Sequence, residues 1–426
     1  ITHPPSMIDM KMLREHPEKI RDAAQAKGVT VNTDRILELD RSARSLLGEI
    51  EATKAKKNAA SDAIAKANPD ERKALIEAMR AVDQASGGMD AEFATINSEL
   101  QELLLRIPNP ALDDVIVGAS DEENTVLRTV GEVPKFDFEP KDHQTIGENL
   151  GIIDMKRAAK VSGARFVYYV GDGAMLELAL VDFGLRIAMK HGFVPVTVPH
   201  LVNSRSMAAM GYLEHGGQDE IYYLQKDDLY LIGTSEQAIG PMHMDEILDA
   251  AKLPLRYVGV SPCYRRESGS AGKDTKGVIR VHQFTKVEMF GFCKAEDSVA
   301  EHEAILAIEE ELLSALGLPY HVLNICTGDL GLPAAKKWDT EVWFPAQNRY
   351  REVTSTSNCT DFQGRRLNTR YRTEEGTEVV HTVNGTAFSG RPIAAILENF
   401  QNADGSVTIP EVLRPFMNGK ERITVK

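Results

Sequence analysis

The sequence predicts an α+β protein: an antiparallel sheet surrounded by helices, preceded by a long antiparallel helical hairpin. Two observations carry this reading. A mostly apolar repeat with alternating steps of three and four residues runs through the first quarter of the 426 residues. Beyond residue 140, short strand-like segments alternate with helical ones, but no regular strand–helix–strand unit recurs.

Ile1 to Ser6, ahead of Met7, read as a cloning remnant, and Met7 to about Gly28 as one short amphipathic helix around Leu13, Ile20 and Ala24. The first long helix, about 33–67, carries Ile36, Leu39, Ala43, Leu46, Ile50, Thr53, Lys57, Ala60, Ile64 and Ala67 in 3-4 steps. The second, about 70–107, repeats the pattern with Leu75, Met79, Val82, Ser86, Met89, Phe93, Ile96, Leu100, Leu103 and Ile107. A repeat sustained this long is a coiled-coil seam. Asn68-Pro69-Asp70 between them suits a cap followed by a first helical turn, and so short a link forces the helices antiparallel. At 1.5 Å per residue, helices of roughly 35 residues reach about 50 Å. Lys57 on the seam and Gly87-Gly88 weaken the pattern, and the glycines predict a bend or frayed turn. Pro108-Asn109-Pro110 ends the second helix.

The chain therefore divides into an N-terminal domain, 1–110, and a larger domain, 111–426. Residues 111–140 read as an irregular connector. Leu176 to Met189 reads as a helix, and Gly192 to Pro199 as a strand closed by proline. Tyr264–Glu267 and Arg280–Glu288 read as two strands joined by a glycine-spaced loop, and Thr382–Phe388 as another strand. After Ser389-Gly390, Arg391-Pro392 opens a helix whose Ile393, Ile396, Leu397 and Phe400 form one buried stripe.

Composition excludes several classes. A net charge of −14 argues against a non-specific nucleic-acid coat, though not against a specific RNA ligand on a local basic patch. No apolar run approaches the ~20 residues that span a bilayer, and no signal-peptide pattern opens the chain. Four widely spaced cysteines without a CxxC pair look like reduced cytosolic thiols, which points to the cytoplasm. Generic nucleotide motifs fail: Gly269 to Asp274 lacks the P-loop ending, and Gly171-Asp172-Gly173 lacks the third glycine of a dinucleotide fingerprint.

The chemistry sits elsewhere. On a strand, Arg265 and Glu267 share one face, as do Phe284, Lys286 and Glu288. Paired, the two strands offer a guanidinium, carboxylates and an aromatic ring, the parts needed to hold a phosphate, an amino group and a flat base. A charged hairpin facing solvent is the competing reading. Arg391 opens a helix, where the dipole and free N–H groups favour phosphate; a surface arginine beside a cap is the alternative.

The helix and strand ending at Pro199, the hairpin around Arg265, and the segment through Arg391 resemble, in this order, motifs 1, 2 and 3 of the class II aminoacyl-tRNA synthetases. Gly233-Thr234-Ser235-Glu236, Arg280 to Glu288, Glu352-Val353-Thr354-Ser355 and Asp361-Phe362-Gln363 narrow the resemblance to seryl-tRNA synthetase. So does the N-terminal arm, which that family lays along the long variable arm of its tRNA. The resemblance runs from about Met7 to Arg422.

It implies activation of L-serine by ATP, with magnesium, and transfer to tRNA(Ser) by a cytoplasmic homodimer with no membrane association; selenocysteine tRNA as a second tRNA partner is left open. Arg265 would bridge the serine carboxylate and the ATP α-phosphate, and Glu267 would lie near the adenine amino group. Phe284 and Arg391 would sandwich the adenine, with Arg391 also reaching the γ-phosphate. Arg266, Val353 and Thr354 complete the implied ATP-binding set, and Glu352 and Ser355 would hold magnesium. Thr234, Glu288 and Thr386 would form the serine pocket, supported by Glu236 and Asn384. Arg265, Glu288 and Arg391 are the expected catalytic residues.

Two departures stand out: Thr-Ser-Glu replaces the family's usual Thr-Ala-Glu, and Asn384 to Arg391 is one residue shorter than the commonest pattern. The shortening raises the alternative of a specialised paralogue serving a biosynthetic or inhibitor-resistance role. His282, alternating with Phe284, is either a site residue or a loop-fixing one. Lys273 and Lys276, in the loop from Ser268 to Ile279, are either acceptor-end contacts or solvated loop lysines.

Overall fold

The computed structural model describes residues 8–214, 217–268 and 277–425. The chain forms two compact units, one of Met7–Gln25 and Val29–Pro108, the other chiefly Asn109–Lys426. Lys273, Lys276 and the segment Ile1 to Met7 lie outside the described residues.

In the first unit, residues 10–26 form two helices, not the single one expected: α1 (Met10–Glu15) and α2 (Pro17–Ala26). Pro17 cannot donate to a continuing helix but fits the first turn of a new one. Leu13, Ile20 and Ala24 are buried, as the amphipathic pattern required. The long helix α3 (Thr33–Lys66) is capped by Asn32, whose Oδ1 accepts from Arg35 N at 3.1 Å. At the turn, Asn68 Oδ1 accepts from Glu71 N (3.0 Å) while Glu71 reaches back to Asn68 N (3.4 Å), a capping box.

The return arm is α4 (Pro69–Ala85) and α5 (Met89–Leu105), broken at Ser86–Gly88 where the glycines stand. Gly88 has φ 108, a conformation that side chains disfavour. Along the distal arm Thr53, Lys57, Ala60 and Ile64 are half-buried among exposed neighbours, which is the seam. Lys57 is tolerated there because its Nζ donates to Ser86 Oγ at 3.0 Å. At the base, Leu13, Ile20, Ile36, Leu39, Leu100, Leu104 and Ile107 form the unit's apolar core.

The second unit runs β1 (Thr125–Val130), α6 (His143–Asn149), α7 (Asp172–Lys190), β2 (Val194–Thr197), β3 (Leu255–Tyr264), β4 (Gln283–Cys293), α8 (Ser298–Ala315), β5 (Tyr320–Asn324), β6 (Lys336–Phe344), β7 (Arg349–Thr360), β8 (His381–Phe388) and α9 (Arg391–Asn399), with shorter elements between. These strands form an eight-stranded sheet in the order β1-β5-β6-β7-β8-β4-β3-β2. Pairing is antiparallel except between β2 and β3. The connector read over 111–140 thus contains an edge strand. Thr-Val-Leu-Arg-Thr-Val lacks the apolar–polar alternation that marks a strand, because β1 is exposed on both faces for most of its length.

Alternation gives the sheet two different faces. On β4, Val287 and Met289 enter the core built with Leu180 of α7, Ile305 and Leu312 of α8, and Ile393 and Leu397 of α9. Phe284, Lys286 and Glu288 point the other way, into the cavity described next.

Candidate functional site

A cavity of about 660 Å³ opens on the face of the sheet away from these helices. Thr234, Glu236, Arg265, Glu267, Phe284, Glu288, Glu352, Val353, Ser355, Asn384, Thr386 and Arg391 all line it. Two expected residues do not. Arg266 turns away, its Nε donating to Ile221 O (2.9 Å) and its guanidinium resting 4.8 Å from the Tyr222 ring centre. Thr354 points to the helical face, where its Oγ1 donates to Glu309 (2.9 Å).

The hairpin needs a correction. The β3–β4 ladder starts at Tyr264↔Gln283, so Arg265–Glu267 and Arg280–His282 lie beyond it. Glu267 has φ 52, which ends the alternation that would place it beside Arg265. It still faces the cavity because Arg280 NH1 pairs with its Oε2 at 2.9 Å. Arg265 is fixed at its backbone by His282 O (3.0 Å) and at its side chain by Gly233 O (3.3 Å). Its guanidinium lies 5.3 Å from the Phe284 ring centre. His282 Nδ1 donates to Arg265 O (3.0 Å) while its ring packs on Phe166, so it fixes the loop.

Glu352 and Ser355 are three residues apart, and simple alternation would put them on opposite faces. A bulge in β7 resolves this. Glu341 pairs with Glu352 and Thr340 with Thr354, leaving Val353 extra, so both side chains reach the cavity. Arg391 NH1 lies 3.1 Å from Glu352 Oε2 and donates to Glu352 O at 2.8 Å. Burial would raise the Glu352 pKa, but Arg391 and Lys337 outweigh it and pull the carboxyl down to about 2. Lys337, which lines the cavity and lies 3.0 Å from Asp339, adds a charge that sequence reasoning missed, with Asp339 opposite Ser355 in the ladder. On β6 both sit at period two, a signal that could have exposed them.

The most buried stretch of the lining is polar. Lys286 Nζ lies 2.5 Å from Glu288 Oε2 and donates to Thr234 Oγ1 at 3.3 Å. Thr386 Oγ1 donates to Glu288 at 3.4 Å, and Gln363 Nε2 to Glu236 at 3.4 Å. Ser235, which stands for the family's alanine, is accommodated because its hydroxyl donates to Gly259 O at 3.3 Å. In the shortened segment, Thr386 sits opposite Glu288, with Ala387 bulged before Phe388 meets Val287. Lys286 was visible as one of three alternating residues, but nothing in the sequence marked it as the partner of Glu288.

A further link went unseen. Val278 N donates to His143 Nε2 (3.2 Å), so His143 Nδ1 carries the proton and donates to Glu398 (2.7 Å). Ile279 O in turn accepts from Arg391 Nε (3.4 Å). The Val278–Ile279 segment of the cavity wall is thereby held at both ends of α9. Positions 143 and 398 are 255 residues apart, so no local pattern joins them.

Burial, and next the Glu288 charge, push the Glu236 carboxyl up to about 7. A raised pKa favours folding at low pH, and this benefit is lost as pH rises from 4.5 through about 7. Glu236→Gln removes the titration, so its stability relative to the parent should grow by about 2 kcal/mol between pH 5 and pH 8. Urea unfolding at both pH values measures this, and a constant difference would contradict it.

Comparison with known proteins agrees with this geometry. The family model for the tRNA synthetase class II core domain (G, H, P, S and T) matches residues 222–400, and that for the seryl-tRNA synthetase N-terminal domain matches residues 7–111. The serine–tRNA ligase of Micrococcus luteus is 50% identical over 429 residues, covering 98% of this chain and 99% of that protein. That of Acidothermus cellulolyticus is 47% identical over 413 residues, covering 96% and 98%. The crystal structure of seryl-tRNA synthetase from Pyrococcus horikoshii complexed with ATP superimposes with a TM-score of 0.89 at 39% identity, covering 98% of this chain and 100% of that one. With the cavity and the arm in agreement with both family models, and with relatives matched over nearly the whole length, the chain belongs to the seryl-tRNA synthetase family of class II tRNA synthetases.

Proposed function

We propose that this cavity activates L-serine with ATP to seryl-adenylate, and that the enzyme then transfers serine to the 3′ end of tRNA(Ser). The observation that carries the reading is the buried polar cluster of Lys286, Glu288, Thr234 and Thr386 beside Arg265, in a chain that matches serine–tRNA ligases end to end. The serine carboxylate is the nucleophile. It is ionised at neutral pH and attacks the α-phosphorus in line as pyrophosphate leaves, so no general base is needed. Catalysis is then positioning and charge neutralisation. Arg265 holds the carboxylate against the α-phosphate. Phe284 and Arg391 receive the adenine, Glu267 lies near its amino group, and Arg391 reaches the γ-phosphate. ATP bound in the Pyrococcus horikoshii protein supports the assignment.

The oxygen donors of Glu352 and Ser355, on one face through the β7 bulge, are of the chemistry that magnesium prefers. When bound there, the ion would supply positive charge to the triphosphate.

Thr234, Glu288 and Thr386 take the serine ammonium and hydroxyl, with Glu236 and Asn384 behind them. The coiled-coil arm serves tRNA. A homodimer is supported by apolar side chains left exposed on α7 and edge strand β2, among them Met175, Leu178, Met189 and Val194. Four buried, unbridged cysteines fit a reducing cytoplasm, and no helix among the described residues is long and apolar enough to cross a membrane. No observation on the shortened segment favours a specialised paralogue.

Amino-acid-dependent ATP–pyrophosphate exchange tests the reading. Serine should support exchange, while alanine should lose about 10⁴-fold or more, because it leaves buried polar groups of the pocket unpaired. Exchange with alanine comparable to that with serine would refute the pocket assignment.

A further inference from the structure

The geometry points to Glu309 of α8 as a positioning residue for the serine pocket, acting through the backbone of Thr386; this rests on the reading of Thr386 as a serine-pocket residue. Glu309 lies on the helical face of the sheet, fully buried, and touches none of the cavity. Its Oε1 accepts from Thr386 N at 2.9 Å. Its Oε2 accepts from Thr354 Oγ1 at 2.9 Å and from Thr340 Oγ1 at 3.5 Å. One side chain thus ties β8, β7 and β6 together directly behind the pocket.

The reason lies in the sheet. The β7–β8 ladder stops at Thr356↔Gly385, and the bulge in β4–β8 pairing falls at Ala387. Thr386 sits between these two interruptions, and its N–H goes to Glu309. An amide at such a place would otherwise be buried without a partner, which costs about as much as a lost hydrogen bond.

Gly385 permits the approach. A Cβ there would lie 2.8 Å from Glu309 Oε1 and 2.3 Å from Ile305 Cγ2. Alternation then sends the side chains of Asn384 and Thr386 into the cavity, where Thr386 Oγ1 reaches Glu288. Burial pushes the Glu309 carboxyl well above its ordinary range. Glutamine is therefore a close stand-in: its oxygen can accept from Thr386 N, and its amide can donate to the Thr354 hydroxyl.

The test is steady-state ATP–pyrophosphate exchange by the full chain, with serine and ATP varied separately. Glu309→Leu keeps the volume and removes every acceptor. It should raise the serine KM about tenfold and leave the ATP KM within about twofold, and Glu309→Gln should hold the serine KM within about threefold of the parent. A serine KM unchanged in Glu309→Leu, or both KM values moving together, overturns the assignment. If Glu309→Leu does not fold, Glu309→Asp, which withdraws the carboxyl by one methylene, gives the same readout. A rise in serine KM alone supports the role, and no rise or a parallel rise overturns it. A parent chain without serine-dependent exchange would overturn the serine reading and this assignment together. Intact exchange without the KM split overturns only the assignment.

Discussion

Arg265→Ala should lower serine-dependent ATP–pyrophosphate exchange by about 10³-fold, the scale expected when a preorganised charge is removed from a developing transition state. Arg265 is held at three points before substrate arrives. Its backbone N–H is fixed by His282 O, its Nε by Gly233 O, and its face rests against Phe284. That preorganisation is what alanine loses, and lysine would not restore it, since an ammonium cannot reproduce the planar fork. Arg265→Lys should therefore remain at least about 10²-fold down. Unfolding in urea should change little, because Arg265 lines a cavity and sits outside the apolar core. Exchange within about tenfold of the parent would remove Arg265 from the reaction.

Shortening the arm should separate the two half-reactions. The apolar core of the first unit lies at the arm's base, around Ile36, Leu39, Leu100 and Leu104. Beyond Ile50 the described residues of the distal arm bury little, the seam positions being only half-buried. Replacing residues 53–95 by a short turn therefore leaves the base core in place. The second unit keeps its own core and the whole cavity lining. Exchange should stay within about twofold of the parent, while kcat/KM for charging tRNA(Ser) should fall by about 10²-fold or more, the loss of several kcal/mol of binding energy. Parallel losses in both reactions, or charging left intact, would contradict a tRNA role for the arm.

The parts of the molecule legible in sequence were those governed by local period. The arm could be read because a 3-4 repeat is a property of one helix, and even its break was marked by Gly87-Gly88. The strand–break–helix around Arg391 was equally local: β8 ends at Phe388 and α9 begins at Arg391. What failed to show was whatever depends on interruption or on distance. The bulge at Val353 reverses the alternation that would have separated Glu352 from Ser355. Strand β3 stops at Tyr264, three residues short of the expected Glu267, where the backbone turns left-handed. Strand β1, exposed and without alternation, gave no period at all. His143 with Glu398, and Glu309 with Thr386, join elements far apart in the chain, and only the assembled sheet brings them together.

The central claim, that this cavity makes seryl-tRNA, is tested most directly by acylation of a tRNA(Ser) transcript with labelled serine, ATP and magnesium. The account predicts serine esterified to the 3′ end by the parent chain, about 10³-fold less by Arg265→Ala, and none with alanine in place of serine. A folded parent chain that leaves tRNA(Ser) uncharged, or that charges it equally well after Arg265→Ala, would contradict it.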